Sequence, residues 1–502
     1  MSETRATDST FGPALLLMSG RTLAFVATFL TPVVLARVFD PTEFGTYKQL
    51  FLVFSTLYYI AQVGMAESLF YFLPAAGAAA GRYVANSVMF LAAAGAVAGV
   101  LLESARGVVA RSLHNDGLGA HVPWIAAFLG LMLASAGLEI VMIARRRYLS
   151  ATTCYGVSDV LRAAALVVPA LALGRLDAVL LGAVAFALLR GGAALGYFRR
   201  SFGAALRVDR ALLGRQLAYA GPFGLAVLLE IVQTNFHQYA VSYRFDAATF
   251  AVYAVGCLQI PFVDLVATSA GNVVMVRMSE AVREARADRV LSIWHDATRK
   301  LALVFFPLVA VLLVAAHDLI VLLFTERYLA SVPVFMVGTA VIALSVLATD
   351  AVLRVYAQTG FLLRLNAVRL VLIAALIAPF IAAWELPGAM LVTALATAVA
   401  KGLALGRIRR LLGVGFAGLL PWRSLLATGA AAGLAAAAGL AARGLLPGTA
   451  LSGLLAASLT TAGVYAALLL PLGLVGEDER VALSAWCHRL VGGAQAAARS
   501  GS

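Results

Sequence analysis

Charge is scarce in this chain: 13% of its 502 residues are Asp, Glu, Lys or Arg, against 62% that are hydrophobic. With a mean hydropathy of +0.92, it has more apolar surface than a water-soluble core could hide. It is a polytopic membrane protein. Cysteine is almost missing too: Cys154, Cys257 and Cys487 are so widely separated that no CxxC pair or local zinc motif exists. They read as three unrelated thiols. There is no Gly-rich phosphate loop, no Ser/His/Asp series and no pair of carboxylates in a loop. His237 stands alone, with no second histidine spaced to help it hold a metal. These absences predict a protein that is not an enzyme and carries no metal or cofactor. A net charge of +13 in a soluble protein would hint at nucleic acid. Here the basic residues sit between apolar runs, so the charge reports topology and no nucleic-acid partner is expected.

What the chain has is long apolar runs. The first eleven residues, MSETRATDSTF, are polar, and the run after them is too long for a signal-peptide core, so it reads as the first retained span. Runs of about twenty apolar residues predict helices near 12–36, 47–73, 83–102, 121–143, 152–173 and 177–198. A second set lies near 216–240, 248–275, 299–323, 332–357, 363–383 and 388–406, with a last pair near 424–442 and 450–474. The expected fold is therefore all-α, with about 14 transmembrane helices.

Basic residues favour every second loop, as with Arg145, Arg146 and Arg147, then Arg199, Arg200, Arg207, Arg210 and Arg215, then Arg407, Arg409, Arg410 and Arg423. The alternate loops hold only Arg37, Lys48, Arg106, Arg111, Arg175, Arg244, Arg327 and Arg443. By the positive-inside rule the even loops and both termini are cytoplasmic. Residues 279–300, SEAVREARADRVLSIWHDATRK, are mixed in charge and predict a short amphipathic helix on the inner surface.

A short pattern divides the chain in two. The spacing F-D-x-x-x-F-x-x-Y at Phe39, Asp40, Phe44 and Tyr47 returns as Phe245, Asp246, Phe250 and Tyr253, each displaced by 206 residues. Both copies join the end of one apolar run to the start of the next, as expected of two halves built alike. The division that follows is an N-lobe at 1–198, a cytoplasmic interlobe loop at 199–215 and a C-lobe at 216–410. Two extra helices lie within 411–475, and a cytoplasmic tail occupies 476–502.

Ionisable groups inside spans cost roughly 2.5 to 3.5 kcal/mol each on insertion scales, so each needs a partner or a wet cavity. Arg21 lies about 15 Å into the first predicted helix at 1.5 Å per residue, with no acidic neighbour in that helix. Arg162, Arg190 and Arg369 lie roughly 10 to 15 Å from the cytoplasmic ends of their spans by the same rise. Four such arginines would form a cationic cup open to the cytoplasm, and the guanidinium fork suits a phosphate. The competing reading is self-neutralisation, since Asp159 shares a helical face with Arg162, and Asp350 with Arg354. The seventh predicted helix carries Glu230, Gln233, Asn235, His237 and Gln238, and the eighth carries Asp264 and Asn272. Such groups face a bundle interior, where they can bond sugar hydroxyls or one another. Prolines inside spans, among them Pro169, Pro222 and Pro307, suit helices that kink in a rocking transporter.

Several stretches carry a family resemblance. Arg37, Phe39, Asp40, Pro41, Phe44, Gly45 and Tyr47 fit a helix-one exit of the form R-x-(L/F)-(G/D)-P-x-x-(F/Y)-G-x-Y, and an apolar run ending at Pro74 follows. The stretch AYAGPFGLAVLLEIVQTNFHQYAVSYRFDAATFAVYAVGCLQIP and the stretch LFTERYLASVPVFMVG extend the match. Over roughly residues 12–410 the sequence resembles the polysaccharide transporters of the oligosaccharide flippase type, within the superfamily that also holds MATE drug exporters and lipid II flippases. The resemblance implies two six-helix lobes in a V around a central cavity, with alternating access in a bacterial inner membrane. It implies a polyprenyl-pyrophosphate-linked oligosaccharide as cargo, with membrane lipids and other polysaccharide-assembly membrane proteins as partners. Arg21 matches by position a first-helix arginine of the basic cavity lining.

The expected function is thus flipping of a lipid-linked oligosaccharide. Arg21, Arg162, Arg190 and Arg369 would hold pyrophosphate, Gln233, Asn235 and His237 would meet sugars, and Glu230 or Asp264 would couple an ion. The alternative is a cation-coupled MATE-type exporter of small amphipathic compounds, although the first predicted helix lacks the acid that branch often uses. A membrane glycan polymerase would need a large external loop, and a structural scaffold would not explain buried arginines.

Overall fold

The computed structural model describes residues 27–445 and 448–474, apart from the side chain of Pro261. Arg21, Cys487 and the C-terminal tail lie outside the described residues. Within them the chain is helical and contains no strand. Among the described residues, ten helices are long and apolar enough to cross a membrane, or eleven with one bent pair counted as a single span. The chain is a multi-pass membrane protein.

It divides into two compact units. Unit 1 holds the residues up to Leu258 with Leu323–Val334 and Asn366–Ala396, and unit 2 holds Gln259–Leu322, Phe335–Leu365 and the residues from Thr397 on. Unit 1 opens with α1 (Ala27–Val38), α2 (Pro41–Gln62), α3 (Met65–Phe72), α4 (Ala80–Ser104), α5 (Arg106–Ser112) and α6 (Leu118–Ala134). It continues with α7 (Leu138–Ala144), α8 (Tyr148–Leu173), α9 (Leu176–Phe202), α10 (Arg210–Arg244) and α11 (Ala247–Gly256).

The twice-used pattern is a device for starting helices. Asp40 and Asp246 both have extended backbone, and each carboxylate accepts a hydrogen bond from the N–H three residues on, Glu43 at 2.8 Å and Thr249 at 2.9 Å. Each thereby satisfies one of the donors that a helix start leaves orphaned. Phe39 and Phe44, like Phe245 and Phe250, occupy the two positions that a hydrophobic staple uses. Phe44, Phe250 and Tyr253 are fully buried. The helices so started, α2 and α11, pack so closely that a Cβ on Gly45 would run into the Ala247 carbonyl.

Small residues set other approaches. A Cβ on Gly95 of α4 would stand 2.9 Å from the Gly130 Cα of α6, the close backbone contact that small residues allow in membrane bundles. Between α2 and α3 the chain bends by 42°. Val63 and Gly64 both have left-handed backbone there, at φ 48° and 70°, and glycine adopts that conformation without strain.

Unit 2 comprises α12 (Pro261–Arg283), α13 (Ala287–Val314), most of α14 (Ala316–Phe324), most of α15 (Val332–Ile342), α16 (Thr349–Val355), the two ends of α17 (Thr359–Leu412), α18 (Phe416–Leu419), α19 (Trp422–Leu445) and α20 (Ala450–Leu469). The expected amphipathic helix at 279–300 is absent as a separate element. The chain turns at Ala285, with φ 55°, so α12 ends and α13 runs unbroken into the next span. Burial explains it: Trp294 is fully covered among Val352, Ile408 and Leu419, and its indole N–H donates to the Leu419 carbonyl at 3.0 Å. The predicted span 248–275 is likewise broken, with α11 ending at Gly256 and α12 starting at Pro261.

Two predicted boundaries do hold their place. The expected gap between 383 and 388 coincides with a break in α17 at Glu385, where φ is 50° and ψ −131°. The α8/α9 turn falls at Gly174, whose φ is 60°.

The Thr249 hydroxyl and N–H hold the exposed Asp246 carboxyl below its ordinary range. A depressed carboxyl stabilises the fold above its unfolded pKa, and that contribution fades as pH falls through the folded value. Asp246→Ala is therefore expected to lower stability by about 1 kcal/mol at neutral pH. The deficit should shrink below about pH 4, while Asp246→Asn keeps most of the cap. Thermal unfolding in detergent across pH checks this.

Candidate functional site

Arg162, Arg190 and Arg369, three of the ionisable side chains that the sequence places within spans, lie in unit 1 in two groups. The first lies on α7, α8 and α9. Arg190 is about 18 Å along α9 from Phe202 at 1.5 Å per residue, and its guanidinium meets Glu139 of α7 fork to fork. Nη1 donates to Oε1 and Nη2 to Oε2, both at 2.7 Å. Nη1 also donates to the Ser158 hydroxyl at 2.9 Å. The pair is sealed from outside, with side chains 11% and 4% exposed. The Cys154 thiol lies 3.4 Å from Glu139 Oε1. Arg190 Nε is buried without a hydrogen-bond partner.

One helix neighbour away, Arg162 Nη2 lies 2.9 Å from Asp159 Oδ1, the same-face pairing that the sequence offers as its competing explanation. It also donates to the Thr28 hydroxyl of α1 at 3.1 Å. Asp159 feels Arg162, Arg190 and Glu139 together. The two arginines and two acids thus form one electrostatic group, with the buried Tyr58 phenol of α2 beside Arg190 and Glu139.

The second group joins α10 to the segment Asn366–Ala396. With its amide oxygen turned toward the guanidinium, Gln233 accepts from Arg369 Nε at 2.8 Å and Nη1 at 3.1 Å. One turn on, His237 feels the same arginine and its Nδ1 bonds the Tyr253 hydroxyl at 2.7 Å. Gln233 and His237 are both buried. Asn235 is turned elsewhere and donates to Thr56 of α2 at 2.8 Å.

The remaining expected residues are not assembled with these. Glu230 is exposed on α10. Asp264 belongs to unit 2, exposed in the first turn of α12. Arg354 is exposed, and its expected partner Asp350 instead lies 3.8 Å from Lys401, which donates to the Leu347 carbonyl and Thr349 hydroxyl.

Glu139 and Ser158 escaped the sequence reading, while Cys154 and Tyr253 are noted there only as a thiol and as part of the repeated pattern. Glu139 carried a signal as the single carboxylate in the predicted span 121–143. Its partner is far away in sequence and invisible to helical spacing.

Breaking a buried ion pair from one side leaves an uncompensated charge. Arg190→Met should therefore cost about 3 kcal/mol, and adding Glu139→Leu should recover most of it. A thermal-unfolding double-mutant cycle with additive losses would show that the two groups are not coupled.

Comparisons with known proteins agree on the fold. The structure is similar to the lipid II flippase MurJ in an inward closed conformation, with TM-score 0.65 at 13% identity over 89% of this chain and 98% of that one. It is similar to an inward-facing MATE multidrug resistance transporter of the MOP superfamily, with TM-score 0.60 at 13% identity over 80% of this chain and 98% of that one. A MOP superfamily transporter from Pyrococcus furiosus gives TM-score 0.53 at 14% identity over 80% and 94%. At such identities the likeness is one of fold. No curated protein matches the sequence. The profile of the polysaccharide biosynthesis protein family, however, matches residues 34–333, which include both copies of the F-D-x-x-x-F-x-x-Y pattern and more than half of the chain. The chain belongs to the polysaccharide biosynthesis protein family.

Proposed function

We propose that this transporter flips a polyprenyl-pyrophosphate-linked oligosaccharide from the cytoplasmic to the outer leaflet of a bacterial inner membrane, with both termini cytoplasmic. The observation that carries the reading is the occurrence of guanidinium groups midway along apolar spans, in a chain whose family is that of polysaccharide biosynthesis. Arginine holds a diphosphate through paired, charge-assisted hydrogen bonds and keeps its charge in a low-dielectric site. Arg190 and Arg162, with Arg21 of the first predicted helix, would meet the pyrophosphate. Gln233, His237 and Arg369 would serve the first sugars, and Asn235 would brace α10 against α2.

No covalent step is required. Binding shifts the balance between inward and outward states by its different affinity for each. The MATE-like exporter remains the competing assignment, and its carboxylates would be Glu230 and Asp264.

Complementation separates the two. In bacteria lacking their own copy, the wild type should restore surface polysaccharide. Arg369→Ala should insert normally yet leave the lipid-linked intermediate inside, cutting export at least about tenfold, which corresponds to the loss of a charge-assisted contact. Asp264→Ala should have the smaller effect. Unchanged glycan export in the deletion strain, together with sensitivity to amphipathic cations, would overturn the flippase reading in favour of the exporter.

A further inference from the structure

Tyr71 in the last turn of α3 and Tyr219 of α10 stack face to face, with ring centres 4.5 Å apart and planes 16° from parallel. Stacking covers one face of each ring, and the two residues still remain 62% and 46% exposed. Phe72 braces the pair. It stands edge-on to Tyr71 at 90° and to Tyr219 at 74°, and it lies flat on the buried Tyr83 ring of α4 at 4.9 Å. Rings fixed in this way make a preorganised apolar platform.

The platform has polar neighbours. Glu67 lies one turn before Tyr71 on the same face of α3, and its Oε2 is buried without a hydrogen-bond partner. Gln216, one turn before Tyr219, is fully buried against the Ser68 and Ser87 hydroxyls, and its Oε1 likewise has no donor. Along α10 the residues Tyr219, Phe223, Glu230, Gln233 and His237 all fall within about 40° of one line at 3.6 residues per turn. This stripe runs about 27 Å at 1.5 Å per residue, from the platform to the group around Arg369. Aromatic rings near span ends commonly face lipid headgroups. A lipid-facing stripe, however, would not continue into a glutamate and a glutamine.

We propose that the Tyr71–Tyr219 pair is a sugar subsite that stacks the C–H face of a hexopyranose ring of the cargo's glycan. The proposal rests on the flippase reading given above and extends its sugar contacts along α10 beyond Gln233 and His237. A pyranose with axial hydrogens presents a flat patch of C–H groups on one side, and their slight positive charge suits the negative face of an aromatic ring. Its hydroxyls point outward around the rim, where a carboxylate oxygen lacking a donor, such as Glu67 Oε2, accepts from them. A cation is also drawn to aromatic faces. Here, though, the rings lie flat on each other instead of walling a cage, and the exposed Arg210 and Arg215 on the first turns of α10 repel positive charge. In the proposed orientation this end of α10 is cytoplasmic, so the platform meets the glycan where it enters.

The test is saturation-transfer NMR on the full chain in a detergent without a sugar headgroup, with the methyl β-glycosides of galactose, glucose and N-acetylglucosamine as probes. Irradiating the protein's aromatic protons should saturate H3 and H5 of at least one glycoside more strongly than H2 on the opposite face. Tyr219→Leu should abolish that selectivity, and Tyr219→Phe, which keeps the ring face, should retain it. In the complementation assay Tyr219→Leu should cut glycan export about fivefold, with most of the loss recovered by Tyr219→Phe. Saturation without face selectivity in the wild type, or equal in the wild type and Tyr219→Leu, would overturn the subsite and leave the flippase reading standing. Binding of tetraphenylphosphonium that Tyr219→Leu removes, with no glycoside bound, would assign the platform to amphipathic cations and overturn it too. Failure of the wild type to restore surface polysaccharide would instead remove the flippase reading and this proposal with it. Should Tyr219→Leu fail to fold, Tyr71→Leu, which removes the more exposed ring of the pair, decides in its place.

Discussion

A guanidinium inside an apolar helix must be answered by something polar, and much of the interior of unit 1 follows from how each is answered. Arg190 is met across helices by Glu139, Arg162 along its own helix by Asp159, and Arg369 by the amide of Gln233. Each answer fixes a neighbour: α9 against α7, α8 against α1 through Thr28, and the 366–396 segment against α10. Unit 2 uses the same solution where Arg443 of α19 meets the buried Asp318 carboxylate, with Nη2 to Oδ1 at 2.9 Å. Apolar packing in a membrane gives helices little directional preference, since lipid is as apolar as a leucine face. Buried polar contacts supply that preference, and in unit 1 the arginine pairs join α9 to α7 and the 366–396 segment to α10.

The parts legible in the sequence were those with local causes. The repeated F-D-x-x-x-F pattern could be read because a cap and a staple are complete within six residues, and both copies form the same geometry. The gap between 383 and 388 could be read because a break in hydropathy marks it, and Glu385 sits there with a non-helical backbone. Arg162 could be paired with Asp159 because three residues bring them onto one face.

What escaped had distant causes. Glu139 and Arg190 are separated by the whole of α8. Residues 279–300 look amphipathic in isolation, yet Trp294, Val290 and Ile293 are covered by side chains near 352 and 408. Asp350 turned to Lys401 rather than Arg354 for a similar reason, because the partner comes from a helix some fifty residues later. The break before Pro261 was hidden by apolar residues on both sides of it.

The bend at Val63 and Gly64 bears on how the protein can move. A Cβ placed on Gly64 would stand 2.7 Å from the Phe223 ring and 3.1 Å from the Ala220 carbonyl, and one placed on Gly224 would meet the Val63 carbonyl at 2.7 Å. Main chain packs against main chain at that corner, with the Phe223 ring lying over Gly64. Bent helices are often taken for hinges, but a joint whose inner surface is clamped backbone to backbone behaves as a welded elbow. The close contact holds the α2–α3 corner and the middle of α10 together as one packed unit.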